Sequence, residues 1–156
     1  MITKNTTVQD LIAARPNKLE HFLRAILYYK SINDKLNEAL CNLQAGDEIY
    51  GEIIYWKEYM LDDSNVVNKA KSNDIVNEFK SFADELYDNA VKGLKEYLRE
   101  NPNDVDYIIL LAGILCDGSK MQRIQGVNML NKLKTVTGLS MNHKKMIKFL
   151  IGMVRA

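Results

Sequence analysis

The amino-acid sequence predicts an all-α fold of stacked antiparallel helical hairpins, tetratricopeptide-like or an irregular helical bundle. Three observations carry this. Apolar residues recur at three- and four-residue steps through most of the chain, the spacing that lines one side of a helix. The two prolines, Pro16 and Pro102, stand where such stretches begin or end. With 156 residues, 47% of them apolar and 26% charged, the composition is that of a globular protein that folds without staples. A chain of this length buries roughly 70% of its unfolded surface, so residues 1–156 are expected to form a single domain.

The elements follow in order. Thr6-Thr7 ahead of VQDLIAA predicts a short capped helix, and Pro16 suits the first turn of a second one. That second helix is expected to run to about Leu43 on Leu19, Phe22, Leu23, Ile26, Leu27, Ile32, Leu36, Leu40 and Leu43, with Ala45-Gly46 closing it. In the stretch from Asp47 to Asp63, Ile49, Ile53, Trp56 and Met60 make a helical stripe. Its Tyr, Ile and Trp content also suits a strand and Gly51 weakens both, and the reading taken is helix.

After a polar segment at 64–73, a long helix is expected from about Asp74 to Asn101-Pro102. Its stripe is Ile75, Phe79, Phe82, Ala83, Leu86, Ala90, Leu94, Tyr97 and Leu98. Pro102 prevents continuation, and Asn103 or Asp104 can cap the next helix by accepting from its free N–H groups. VDYIILLAGILC is apolar on most sides and reads as the central buried helix, ended by Asp117-Gly118-Ser119. RIQGVNMLNKLKTV is expected to turn Ile124, Val127, Leu130 and Leu133 inward. Gly138 stops it, Ser140 caps the last helix, and MIKFLIGMV supplies one more apolar side.

Within 74–138, Ala90, Leu94, the Asn-Pro-Asn-Asp turn at 101–104, Leu111, Ala112 and Leu115, then Gly126, Leu130 and Leu133, resemble tetratricopeptide repeats. In such repeats small residues let paired helices approach and large ones fill the gap. The chain departs from the pattern in a longer turn at 118–122 and in Gly138, where the second repeat would carry proline. The resemblance implies a non-catalytic scaffold offering a groove to a peptide or protein; generic helical hairpins satisfy the same spacing.

Charge is divided along the chain. From Gly118 to Ala156 there are eight Lys or Arg and no Asp or Glu, whereas Met1 to Asp117 holds thirteen basic and twenty acidic residues. Eleven of the acids lie between Asp47 and Asp88. Two candidate binding regions follow. Asp47, Glu48, Tyr50, Glu52, Tyr55, Trp56, Glu58 and Tyr59 combine large rings with carboxylates, a composition suited to a basic protein surface. A basic nuclease toxin is one such partner, so the most specific expectation is an immunity protein or inhibitor that neutralises a toxin by stoichiometric covering. A secretion chaperone or adaptor is the neighbouring alternative. The second region, Lys120, Arg123, Lys132, Lys134, Lys144, Lys145, Lys148 and Arg155, could instead hold nucleic acid phosphates or an acidic protein.

Chemistry is hard to find. His21 and His143 have no Cys, His or carboxylate at metal spacing on the same helix, and Cys41 and Cys116 read as small core residues. Phosphate loops, nucleophile elbows and zinc-protease motifs are missing. The expectation is therefore a protein without enzymatic activity, cofactor or metal. The N-terminus MITKNTTVQD has a single Lys with no apolar region behind it and no segment approaches about 20 apolar residues, so neither a standard export signal nor a membrane span is expected, and Cys41 and Cys116, far apart in sequence, suit a reducing cytoplasm.

Overall fold

The computed structural model describes residues 2–62 and 69–155. Among these are seven α-helices: α1 (Val8–Ala13), α2 (Leu19–Ser31), α3 (Lys35–Asp62), α4 (Lys69–Glu100), α5 (Val105–Cys116), α6 (Lys120–Leu133) and α7 (Met141–Arg155). The fold class is all-α. No helix among the described residues is long and apolar enough to cross a membrane. The chain forms two compact units, Met1–Ala90 and Val91–Ala156, and α4 contributes to both.

In the first unit, Thr7 opens α1 with a reciprocal cap. Its hydroxyl accepts from the Asp10 N–H, and the Asp10 carboxylate accepts from the Thr7 N–H. These hydrogen bonds hold the Asp10 carboxyl below its usual range. Asn17, more than Pro16, shapes the next turn: its amide donates to the carbonyls of Ile12 and Arg15, and its oxygen accepts from the Leu19 N–H.

The expected single helix to Leu43 is two helices. Asn33 adopts a left-handed conformation (φ 57°), which Asn tolerates better than most residues, and this ends α2. Asp34 then starts α3 by accepting from the Asn37 N–H at 3.1 Å. Nor does Ala45-Gly46 stop the helix, which continues through the 47–62 stretch. Both residues are buried, and a Cβ at Gly46 would stand 2.8 Å from the Tyr87 ring, so smallness here serves close packing against α4. α2 packs along α3, with Leu27 and Ile32 exposed rather than inward.

The core of this unit gathers Ile2, Val8, Leu11 and Leu19 with Ala45, Ile49, Ile53 and Trp56 of α3 and Ile75, Phe79, Ala83 and Leu86 of α4. The stripe expected of α4 is thus the one that packs. Of the polar segment expected at 64–73, residues 69–73 are already helical, and 64–68, like Asp63, lie outside the described residues.

In the second unit α5 is the central element, packed by both α6 and α7. Ile109 and Ala112 of α5 meet Leu130 and Leu133 of α6 and Ile147 and Ile151 of α7. The turn before α5 differs from expectation. Asp104 sits at the cap position, but its carboxylate accepts from the Tyr97 hydroxyl at 2.6 Å instead of from the helix N–H groups. That bond pushes the Tyr97 hydroxyl up to about 12, and Tyr97 also meets Tyr107 edge-on. Ser119 and Gln122 form a reciprocal cap that starts α6 at Lys120. On α6, Ile124 is exposed and Gly126 takes the inward place, because a Cβ there would come within 2.8 Å of the Ala112 carbonyl. Gly138, at φ +83°, turns the chain into α7.

Candidate binding surfaces

The acidic and aromatic residues of α3 divide between its two sides. A helix advances 100° per residue, so Ile49, Glu52, Ile53 and Trp56 share the inward side while Asp47, Tyr50, Ile54, Glu58 and Leu61 share the outward one. Trp56 is 7% exposed and Glu52 only 5%. The indole N–H donates to Glu52 Oε2 at 3.0 Å, and Arg15 donates to Glu52 Oε1 at 3.1 Å. Arg15 also lies 3.5 Å over the Tyr55 ring, and Tyr55 and Tyr59 each meet Trp56 edge-on. Tyr59 is half-buried against the core. This cluster clips the end of α1 to α3, and Glu52 and Trp56 belong to the interior rather than to an open surface.

The remaining residues stay accessible. Asp47 accepts from the Tyr87 hydroxyl at 2.7 Å, and Glu48, half-buried, accepts from the Lys18 N–H at 3.2 Å. Tyr50 is 53% exposed, Ile54 54% and Leu61 85%, and Glu58 is exposed beside them. Ile54 and Leu61 were not among the sequence-level candidates. Their three- and four-residue spacing from Asp47, Tyr50 and Glu58 was the available signal.

In the second unit Lys120, Arg123, Lys132, Lys134, Lys144, Lys145, Lys148 and Arg155 are all exposed. They do not stand alone. Met146, Phe149 and Met153 form an exposed apolar row along α7, and Met121 and Ile124 are exposed on α6. These apolar neighbours escaped a reading that counted only cations.

The histidines and cysteines have the following surroundings. His143 Nδ1 accepts from the Ser140 N–H at 3.4 Å, so Nε2 carries the proton and donates to Asp106 at 2.8 Å, tying the start of α7 to α5. His21 is exposed, edge-on to Phe22. Burial pushes the thiols of Cys41 and Cys116 up, which disfavours the thiolate. Among the described residues no three His, Cys, Asp or Glu side chains converge as metal ligands would. A cleft between α1 and α4 is lined by Gln9, Asp74, Asn77, Glu78 and Ser81, among others, without a nucleophile activated by a base.

Comparison with protein-family models, curated proteins and solved structures finds no match to this chain.

Proposed function

We propose that this chain is a non-catalytic binding protein that presents the outward side of α3 to a basic protein surface. The supporting observation is the row of Tyr50, Ile54 and Leu61, all more than half exposed, with the carboxylates of Asp47 and Glu58 on the same side of the helix and Lys57 at its margin. A ring and two aliphatic side chains supply apolar area that water solvates poorly, while flanking carboxylates speed encounter with a cationic partner. Trp56 and Glu52 serve this row indirectly, by holding α3 in place.

The most specific form of this reading is an inhibitor that neutralises a basic toxin, such as a nuclease, by stoichiometric masking, as an immunity protein does. A secretion chaperone or adaptor would use the same surface on a different partner. The likeness of residues 74–138 to tetratricopeptide repeats is in keeping with a scaffold of this kind, and a cytoplasmic location is in keeping with two free cysteines, Cys41 and Cys116.

A second reading has its own support. The exposed cations of α6 and α7 suit nucleic acid phosphates, although the apolar row on α7 has no partner in that reading.

The test is capture from the native host at moderate salt, comparing wild type with a Tyr50→Ser, Ile54→Ser variant of unchanged helicity. One stoichiometric protein held by wild type and released by the variant supports the α3 surface. Equal capture by both, or capture of nucleic acid alone, moves the working surface to the basic helices.

A further inference from the structure

We infer that the outward row of α3 is a docking surface for α7 of a second copy of this chain. The inference rests on α3 being the working surface and names the basic element that fits it.

The first ground is charge. The unit carrying α3 has ten basic and fifteen acidic residues, the unit carrying α7 eleven basic and five acidic, a net of −5 against +6. Locally, Asp47 and Glu58 stand on the α3 row with Lys57 at its margin, while α7 has no acidic residue and carries Lys145 beside its apolar row and Lys144, Lys148 and Arg155 further round the helix. Two copies of the same surface would repel, and α3 against α7 attracts.

The second ground is the pairing of apolar rows. On α3, Tyr50, Ile54 and Leu61 extend about 16 Å along the axis, and on α7, Met146 to Met153 extend about 10 Å, from a rise of about 1.5 Å per residue. Phe149, at the centre of the α7 row, is 61% exposed. Each row also runs beside a glycine. Gly51 lies between Asp47 and Ile54 on α3, and Gly152 follows Lys145 and Lys148 on α7. An added Cβ at either would meet nothing within 4 Å, so neither glycine is required by packing within the chain, though each weakens its helix relative to alanine. Bare backbone beside an apolar row lets a second helix approach closely.

Because the two surfaces differ, the contact is heterologous: each copy keeps one α3 row and one α7 row to offer, and assembly proceeds until a ring closes or the supply ends. A foreign basic protein would reach α3 by displacing α7.

The experiment uses the full chain in analytical ultracentrifugation with two exposed-residue variants, Tyr50→Ser with Ile54→Ser, and Phe149→Ser with Met153→Ser, both checked for wild-type helicity. Wild type should associate as concentration rises towards about 100 µM at low salt and lose that association in about 0.5 M salt, where the screening length falls to about 4 Å. Each variant alone should associate at least about tenfold more weakly. Mixed, the two should form a 1:1 dimer and stop there, since each retains the one surface the other lacks. A monomeric wild type, a mixture that stays monomeric, or variants that assemble like wild type would overturn the inference. If self-association is missing and a different basic protein is still captured through Tyr50 and Ile54, only the inference falls; if that capture is missing too, the α3 reading falls with it.

Discussion

The first unit holds a carboxylate inside, Glu52 between Arg15 and Trp56, whereas the second keeps its polar ties, Tyr97 to Asp104 and His143 to Asp106, around an apolar core. The units also differ in how helices approach. In the first, Gly46 faces the movable ring of Tyr87; in the second, Gly126 faces the backbone carbonyl of Ala112 and the Cys116 sulphur. A buried polar cluster is costly to break because the groups left behind have lost water and gained nothing. Close backbone contact is costly to crowd because backbone cannot step aside. The same all-helical architecture is therefore vulnerable at different kinds of position in its two units.

Trp56 is the single tryptophan, so its fluorescence reports on the first unit while circular dichroism reports on all helices. The largest effect should come from Glu52→Ala, which strands the indole N–H and the Arg15 guanidinium; urea unfolding followed by Trp56 emission should show a loss of about 3 kcal/mol. A loss below about 0.5 kcal/mol would mean the cluster does not hold the first unit together.

Next comes Gly126→Ala. Crowding α6 against α5 should cost about 2 kcal/mol, seen in helicity and not in Trp56 emission. Gly46→Ala should cost about 1 kcal/mol or less, because the Tyr87 ring can turn away and alanine favours the helix. Equal losses at the two glycines would erase the distinction between ring and backbone contact.

Smaller still, Tyr50→Ser with Ile54→Ser should leave unfolding within about 0.5 kcal/mol of wild type while removing partner capture. Stability and binding would then separate along α3 by side of the helix.

The smallest effects lie at the extremes of pH. In the second unit, the Tyr97 hydroxyl is raised from 10 to about 12 by its bond to Asp104. The neutral phenol is favoured in the fold, so this stabilisation is complete below pH 10 and lost as pH climbs towards 12. Tyr97→Phe should flatten that part of a helicity-against-pH curve. In the first unit, Asp34 is held below 3.8 by the Asn37 side chain and then its N–H, so its contribution is present above that value and fades as pH falls through the folded pKa. Asp34→Asn should blunt the acid edge of Trp56 emission and leave the alkaline edge alone.

Some elements were legible and others were not, for reasons specific to each. The α4 stripe from Ile75 to Leu86 has one dominant packing side, so period located its buried residues, and the near-continuous apolar run of α5 marked the helix that α6 and α7 both cover. The Thr7 cap of α1 was likewise readable, since capping involves neighbours three residues apart. The break at Asn33-Asp34 went unnoticed because the flanking apolar spacing continues across it; the cue was a left-handed-tolerant Asn followed by a capping Asp. At Ala45-Gly46 the same reasoning erred in the other direction, taking for a stop two small residues that tertiary packing requires.

On α3, large side chains lie on both sides, and only half of the candidate binding residues are well exposed. Sequence spacing sets which residues share a side of this helix. It cannot set which side meets the core, because that depends on Phe79 and its neighbours arriving from α4 and Arg15 from the end of α1. By itself, then, the sequence determined the all-helical class, the cap of α1 and the partition of charge, all of which follow from local period, local hydrogen bonding and composition. Only the tertiary structure decided that Trp56 and Glu52 lie inside, that Tyr50, Ile54 and Leu61 lie outside, and that Gly126 faces in where Ile124 faces out. Burial is a property of what packs against a residue, and those neighbours are distant in the chain.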